Sequence, residues 1–469
     1  MSAEFDARLE FAQFRRPPVV AGDPDYDAAR RVWNGYHDLS PAAILRCSSS
    51  AEIAAGIRSA RERDLPLAVR GGGHSFPGYG SCDGGLVVDL APLDEVVVDV
   101  ARRVATVGGG ATWGEVDRAT AAHGFAIPGG LVSTTGVGGL TLGGGIGWLS
   151  RAWGLACDQL AAAEVVLADG SQARASETEN ADLFWALRGG GGNFGVVARF
   201  EFRLHPLPPA SAVLGGMVLY PAEAAADVLG EHERLAAAMP DELSTLAAFV
   251  SVPPLPFLPA DLHFRPALAI ALCDLGEAAE AERRCAPLRR LAAPLADLVG
   301  RMPYVELQRL FDAGAPAGLR QYGCGLNLSE LSAAAIAVLV EQSAMRPTPL
   351  SQIHLHQLGG AVSRVAEEAT AYAGRDARWV ANILGTWTEP SDDAQVRGWV
   401  SDTRRRLAEL ASARAYVNFL PEPGLADVRR AYGSANHDRL RELKRRFDPT
   451  NLFRRNANIL PADGALAER

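Results

Sequence analysis

The sequence predicts an α+β protein built in two main parts. Three observations lead there. From about Ile44 to Leu204 short β-rich runs alternate with short amphipathic helices. Glycines gather between them in a few tight clusters. Beyond a proline-rich break, "HPLPPAS" at 205–211, long alanine-rich helical stretches separate broad strands, the pattern of a sheet covered by helices on one face. At roughly 100–200 residues per domain, a chain of 469 residues suggests two to four domains, or two large ones.

Each element follows from its residues. "SAEIAAGIRSARERD" spaces its apolar residues as one helix face, and "LPLAVRGGG" is a strand running into glycines. "GGLVVDLAPLDEVVVDVARRVATVGGG" holds three short β runs. "TWGEVDRATAAHG" is a helix stopped by Gly124, and "AEVVLADGSQARAS" a hairpin turning at Asp169-Gly170. After the proline break, "AVLGGMVLYP", "TLAAFVSVP", "ALAIALCDLG", "SQIHLHQLGG" and "RWVANILGTW" are strands, with helices at about 222–239, 277–299, 328–345 and 391–412. From Ala413 a shorter tail follows: "AYVNFLPEPG", a helix and "FDPTNLFRRNANI".

Composition excludes several functions. A net charge of −9 without a basic stripe argues against nucleic acid. The six cysteines contain no C-x-x-C pair, so neither a disulfide framework nor a metal site is expected. No apolar run of membrane or secretory type follows the first residues, and the expectation is a cytoplasmic protein with no membrane partner.

The chemistry sits in the glycine clusters. "RGGGHSFPGYGSCDGG", Arg70 to Gly85, offers backbone N–H groups from Gly71 to Ser75, a nest for a pyrophosphate; a ligand-free turn is the alternative for one such cluster alone. "GGLVSTTGVGGLTLGGGIG" adds the hydroxyls of Ser133, Thr134, Thr135 and Thr141, and "LRGGGGNFGVV" follows. None matches a P-loop, and no β-branched strand leads into the second, so a Rossmann reading is poor.

These blocks, with "CDGGLVVDL", "GWLSRAWGLACDQL" and the terminal "YVNF…AYGSANHDRL…FDPTNLFRRNANI", resemble the berberine-bridge-enzyme-like flavoprotein oxidases of the vanillyl-alcohol-oxidase superfamily. Within it the likeness is to the bacterial natural-product-tailoring branch that includes the enterocin favorskiiase. The resemblance runs from about Pro24 to Pro461. It implies a PCMH-type FAD-binding domain of two α/β subdomains at 1–208, an α/β substrate domain with a largely antiparallel sheet at 209–412, and a segment at 413–469 returning to the FAD domain. It implies FAD joined covalently through its 8α carbon to His74. The other cofactor contacts it implies are Arg70, Gly71, Gly72, Gly73, Ser75 and Gly78 in the first loop, and Ser133, Thr134, Thr135, Gly138, Gly139, Gly143 and Gly147 in the second. Val197, Tyr416, Asn418 and Asn458 complete the set, with Asn456 near them.

Three departures matter. Relatives with a second, cysteinyl flavin link carry it where this chain has Val132, so a single link is expected; Cys157 reads as a small buried apolar residue. The tyrosines that serve in proton abstraction in relatives are replaced by Ile146 and Phe419. The position tied to oxygen access holds Thr135, which leaves oxidase against dehydrogenase open.

A substitute base comes from periodicity. In "SQIHLHQLGG" Gln352, His354 and His356 share one strand face and Ile353 and Leu355 the other. The resemblance puts this strand over the flavin, making His354 and His356 candidate bases and Asn382 on a neighbouring strand a substrate hydrogen-bonder. The alternatives are a solvated outer face or satisfied buried histidines, and for Asn382 satisfaction at a sheet edge. The expected activity is oxidation of a medium-sized small-molecule substrate, a natural-product intermediate, by hydride transfer to flavin N5 with O2 as acceptor. A flavin-dependent oxygenase and a flavoprotein without turnover are the rivals. Substrate, product and oligomeric state stay open.

Overall fold

The computed structural model describes residues 5–254, 258–412 and 414–462. The tail boundary expected at 413 lies outside the described residues. Three short strands, Ala43–Arg46, Leu67–Arg70 and Leu86–Asp89, form a parallel sheet with Leu86–Asp89 in the middle. The helix Ser50–Glu62 joins the two outer strands and starts where the Ser49 hydroxyl accepts from the Glu52 N–H at 3.2 Å. Its Ile53, Ala54, Ile57 and Ala60 pack on Leu45, Leu86 and Val88. A five-stranded antiparallel sheet follows in the order Val96–Asp99, Val104–Gly108, Val196–Arg203, Leu160–Val166, Gln172–Ser176. The last pair turns at Asp169-Gly170, where Gly170 takes φ 83°, as the D-G signal predicts.

The eight-stranded sheet is antiparallel throughout. From the short Ala296–Asp297 it runs through Ala212–Pro221, Pro266–Asp274, Leu243–Ser251, Gln352–Gln357 and Trp379–Trp387 to Arg320–Leu328, and Gly300–Pro303 also pairs with Ala212–Pro221. Helices Ala225–Ala236, Ala333–Ala344 and Asp393–Ala408 cover one face through Val228, Leu229, Leu339, Trp399, Val400 and Leu407. Ile353 and Leu355 point into that layer and are fully buried, each contributing about 1.5–3 kcal/mol. The other face is left for the site.

Two expectations are corrected. The helix expected at 277–299 ends as Ala278–Cys285. Pro287 and Pro294 lack the N–H a continuing helix needs, and the chain passes through a single 3-10 turn, Leu288–Arg290, into the edge strands. Conversely Arg320–Leu328 is a full strand that the sequence hides, because Gly323 and Gly325 interrupt its β signal. At Gly325 the reason for glycine is steric: a Cβ there would stand 2.6 Å from the Cβ of Phe419.

Candidate active site

The first glycine loop leaves the strand Leu67–Arg70 and meets the second loop backbone to backbone. A Cβ on Gly72 would lie 2.3 Å from the Gly136 nitrogen, so glycine is compulsory for this approach. Arg70 is turned into the fold: its guanidinium donates to Asp89 Oδ2 at 2.8 Å and to the Ala29 carbonyl at 2.6 Å, and so holds the strand end. Ser75 shapes the next turn, its carbonyl accepting from Gly78 and its hydroxyl from the Tyr79 N–H. Val197 is buried in the core beneath Gly109.

His74 stands at the loop's apex. Its ring stacks on Trp33 at 4.8 Å with a 16° tilt, and Nε2 is 3.0 Å from Thr134 Oγ1. Nδ1 has no hydrogen-bond partner among the described residues. Burial lowers its pKa to about 4 while Asp312 pulls weakly upward, so the imidazole is neutral at neutral pH. With Nε2–H donating to Thr134 Oγ1, Nδ1 keeps its lone pair, which is what attack on an electrophilic carbon requires.

The second loop is fixed from several sides. Ser133 donates from its N–H to Asp312 Oδ1 at 2.9 Å and from its hydroxyl to Oδ2 at 2.6 Å, and the Thr135 carbonyl accepts from Trp113. Gly138 lies against the Gly109 carbonyl and Gly147 against that of Gly129. A Cβ on Gly139 would meet nothing within 4 Å, so the surface is open there. The turn at Gly143–Gly147 is held from the tail. The Tyr416 hydroxyl accepts from the Gly145 N–H at 3.0 Å and from Asn418 Nδ2 at 2.9 Å, and Asn418 fills the space over Gly143. Burial pushes the Tyr416 phenol up to about 12, so it is a neutral hydrogen-bonding group. Asn458 Oδ1 and Asn456 Oδ1 are buried without partners among the described residues. Cys157 is fully buried among Ile146, Leu155, Tyr372 and Tyr416, and burial raises its thiol far above the ordinary value.

The uncovered face of the eight-stranded sheet completes the site, and register sets its rows. Ala269, Ala248, His354, Asn382 and Gly325 lie side by side; Ala271, Leu246, His356, Val380 and Asn327 form the next row. On the other side Ala267 pairs with Val250, and Gln352, Leu384 and Gly323 lie side by side. None carries a formal charge apart from a histidine's capacity to take a proton. One half is alanine and leucine under the stacked Trp148–Phe311 pair (5.6 Å); the other is polar under Phe419, whose ring is 5.4 Å from His356. Gln352 Oε1 accepts from His354 Nε2 at 2.7 Å. His356 Nε2 and Asn382 Oδ1 are buried and unpartnered among the described residues. Asn382 stands on a central strand, so edge satisfaction does not explain it. Burial lowers His354 to about 4 and His356 to about 3, the latter helped by His354. Burial, which withholds water from a charged ring, thus holds both below the ordinary imidazole range.

Four contributors escaped the sequence reading: Trp33, Asn34, Phe311 and Asp312. Asn34 bridges the Phe76 carbonyl and the backbone of Gln321, tying the His74 loop to the sheet. No local pattern marks any of them; each acts across long stretches of chain.

Comparison with known proteins gives the family. A family model described as FAD binding domain matches residues 41–176, and one described as berberine and berberine like matches 415–460. The uncharacterized FAD-linked oxidoreductase YgaK of Bacillus subtilis is 30% identical, over 94% of this chain and 96% of its own length. The chain belongs to the berberine-bridge-enzyme-like FAD-linked oxidoreductases. Like this oxidoreductase, 6-hydroxy-D-nicotine oxidase from Arthrobacter nicotinovorans has the fold (TM-score 0.85, 27% identity, 95% of this chain and 98% of that one). Glucooligosaccharide oxidase from Acremonium strictum, which carries a 6-S-cysteinyl, 8α-N1-histidyl FAD, superposes with TM-score 0.84 at 26% identity over 97% of this chain and 98% of its own. These relatives carry the family and not the narrower likeness to the enterocin favorskiiase branch. Among the described residues, no helix is long and apolar enough to cross a membrane.

Proposed function

We propose that this oxidoreductase is an oxidase whose FAD is held by one covalent bond to His74, and that it oxidises an uncharged, medium-sized organic molecule through a hydroxyl group, a natural-product intermediate in keeping with the resemblance above. The observation that carries the substrate side is the pair of buried, unpartnered polar atoms, His356 Nε2 and Asn382 Oδ1, on a sheet face with no formal charge. Leaving such atoms without partners costs about 1–3 kcal/mol each, so a ligand that supplies the missing hydrogen bonds binds favourably there. An ammonium or carboxylate would find no counter-charge in those rows and would lose its hydration.

The residues fit the cofactor. Gly72 and Gly136 close the two loops on each other, Gly139 stays open, and the neutral His74 keeps Nδ1 free. His74, the backbone of Gly71–Gly73 and the Thr134–Thr135 segment would hold FAD, with Tyr416 and Asn418 supporting the turn beside it. FAD, when bound, would supply a two-electron acceptor that O2 can reoxidise. The chain does the rest. His356 Nε2 takes the proton of the reacting hydroxyl, and Asn382 Oδ1 accepts from a second donor on the substrate and so orients it. His354, locked by Gln352, donates through Nε2 and so keeps its other nitrogen as an acceptor beside it. Trp148, Phe311 and Phe419 exclude water.

The test is anaerobic bleaching of the visible flavin absorbance by paired compounds, a neutral alcohol and its amine counterpart, followed by admission of ¹⁸O2. The reading expects bleaching by the alcohol, label in hydrogen peroxide and none in the organic product. Preferential bleaching by the charged amine refutes the substrate class; label in the product makes the protein an oxygenase.

A further inference from the structure

The segment from Phe311 to Leu319 leaves the substrate sheet's side of the molecule and grips His74 from two directions. On one side Asp312 receives both donors of Ser133, the N–H at 2.9 Å and the hydroxyl at 2.6 Å. The next residue, Thr134, sets its hydroxyl 3.0 Å from His74 Nε2. On the other side the Ala315 carbonyl accepts from Trp33 Nε1 at 3.0 Å, and the Gly318 N–H donates to the Trp33 carbonyl at 2.9 Å. Trp33 is the ring on which His74 stacks. The same strap begins at Phe311, in the wall beside His354.

We infer that Asp312 is a positioning residue for flavin attachment: through Ser133 it fixes the Thr134 hydroxyl on His74 Nε2, and so presents Nδ1 as the nitrogen that bonds to the cofactor. The inference rests on the proposed His74 link. With Nε2 engaged by Thr134, only Nδ1 is available. The bond forms between Nδ1 and the 8α carbon; one methyl C–H bond and the imidazole N–H are given up. The two protons and two electrons released reduce O2 to hydrogen peroxide. Nothing in that balance calls on Asp312 to touch the cofactor. Its part is geometric, because a nucleophile misplaced by about 1 Å can lose on the order of a hundredfold in rate. Two bonds to one serine fix a loop far better than one, and Arg309, with Nε 3.9 Å from Asp312 Oδ2, steadies the carboxylate from outside.

The experiment uses full-length protein purified from cells supplied with riboflavin. Two quantities are read: flavin bound per native chain, and the fraction of it that survives acid precipitation, followed over time in air. Asp312→Ala is expected to bind flavin as wild type does and to convert it to the acid-stable form at least about tenfold more slowly. Asp312→Asn keeps an acceptor for the Ser133 N–H and restores most of the rate. Thr134→Val reproduces the defect, and the double variant Asp312→Ala/Thr134→Val is no slower than Thr134→Val alone, since both act on one contact. If Asp312→Ala attaches flavin at the wild-type rate, the positioning role is wrong while the His74 link stands. If Asp312→Ala instead loses bound flavin and thermal stability together, the aspartate is only scaffolding, which equally overturns the role. Should wild-type flavin come off entirely in acid, the link itself fails, and the inference with it.

Discussion

Replacing His356 tests how the site moves a proton. The ring is 5% exposed, its Nε2 has no partner among the described residues, and its pKa sits at about 3. A positioned general base contributes about 10²–10⁴-fold, equivalent to about 3–5 kcal/mol of activation free energy. Effectiveness falls when the base's pKa lies far below the working pH, so the low end, about a hundredfold, is expected for His356→Gln. His354→Gln should cost less, since its Nε2 is already committed to Gln352. The assay is the rate of flavin bleaching under anaerobic mixing with the substrate found by the alcohol–amine screen, with acid-stable flavin confirmed in each variant. The sign of the pH effect follows from the lowered pKa: His356 is neutral and competent at every pH above about 4, so the wild-type rate is flat from pH 6 to pH 8 and falls only in acid. Wild-type rates in the double variant would remove both histidines from the chemistry. A wild-type limb centred near pH 6.5 that vanishes in His356→Gln would keep the base but refute the burial argument.

Other consequences can be measured without a substrate. His232 is fully buried, with Nε2 2.9 Å from Thr245 Oγ1, and its pKa is lowered from 6.5 to about 4 by burial. Its unfolded form binds a proton first, so its stabilisation is complete above pH 6.5 and is lost as pH falls toward 4. The difference in unfolding free energy between wild type and His232→Gln should shrink by about 3 kcal/mol across that window in denaturant titrations; parallel curves would contradict it. Tyr416→Phe leaves the Gly145 N–H and Asn418 Nδ2 short of an acceptor and should cost about 1–3 kcal/mol of stability, with native flavin absorbance reporting the loosened turn. Lys444→Met strands the buried Asp448 carboxylate, 2.8 Å from the ammonium, and should cost about 3–5 kcal/mol by denaturant midpoint; an unchanged midpoint would show that the pair is dispensable.

What was legible in the sequence was local or periodic. The R-G-G-G-H loop announced close backbone approach because only glycine permits it, and the structure supplies the Gly72–Gly136 contact as the reason. Alternation in "QIHLHQ" separated Ile353 and Leu355 from His354 and His356, and the helix layer takes the first pair. What was hidden depends on tertiary context. Asp312 and Ser133 are 179 positions apart, and neither residue type marks a loop anchor. Gly325 weakened the signal of its own strand because Phe419 needed the space. The low pKa values of His354 and His356 arise from burial under a wall that no strand pattern encodes.

The most direct measurement is the fate of the flavin when the purified protein is precipitated in acid and digested. The structure, with its neutral His74, sulfur-free Val132 and deeply buried Cys157, predicts that the yellow colour stays in the pellet. Mass spectrometry should then find one flavinylated peptide, carrying the modification on His74, and His74→Ala should release all flavin as free FAD. Free FAD in the supernatant of wild type, or a flavin on a peptide containing Cys157, would contradict it.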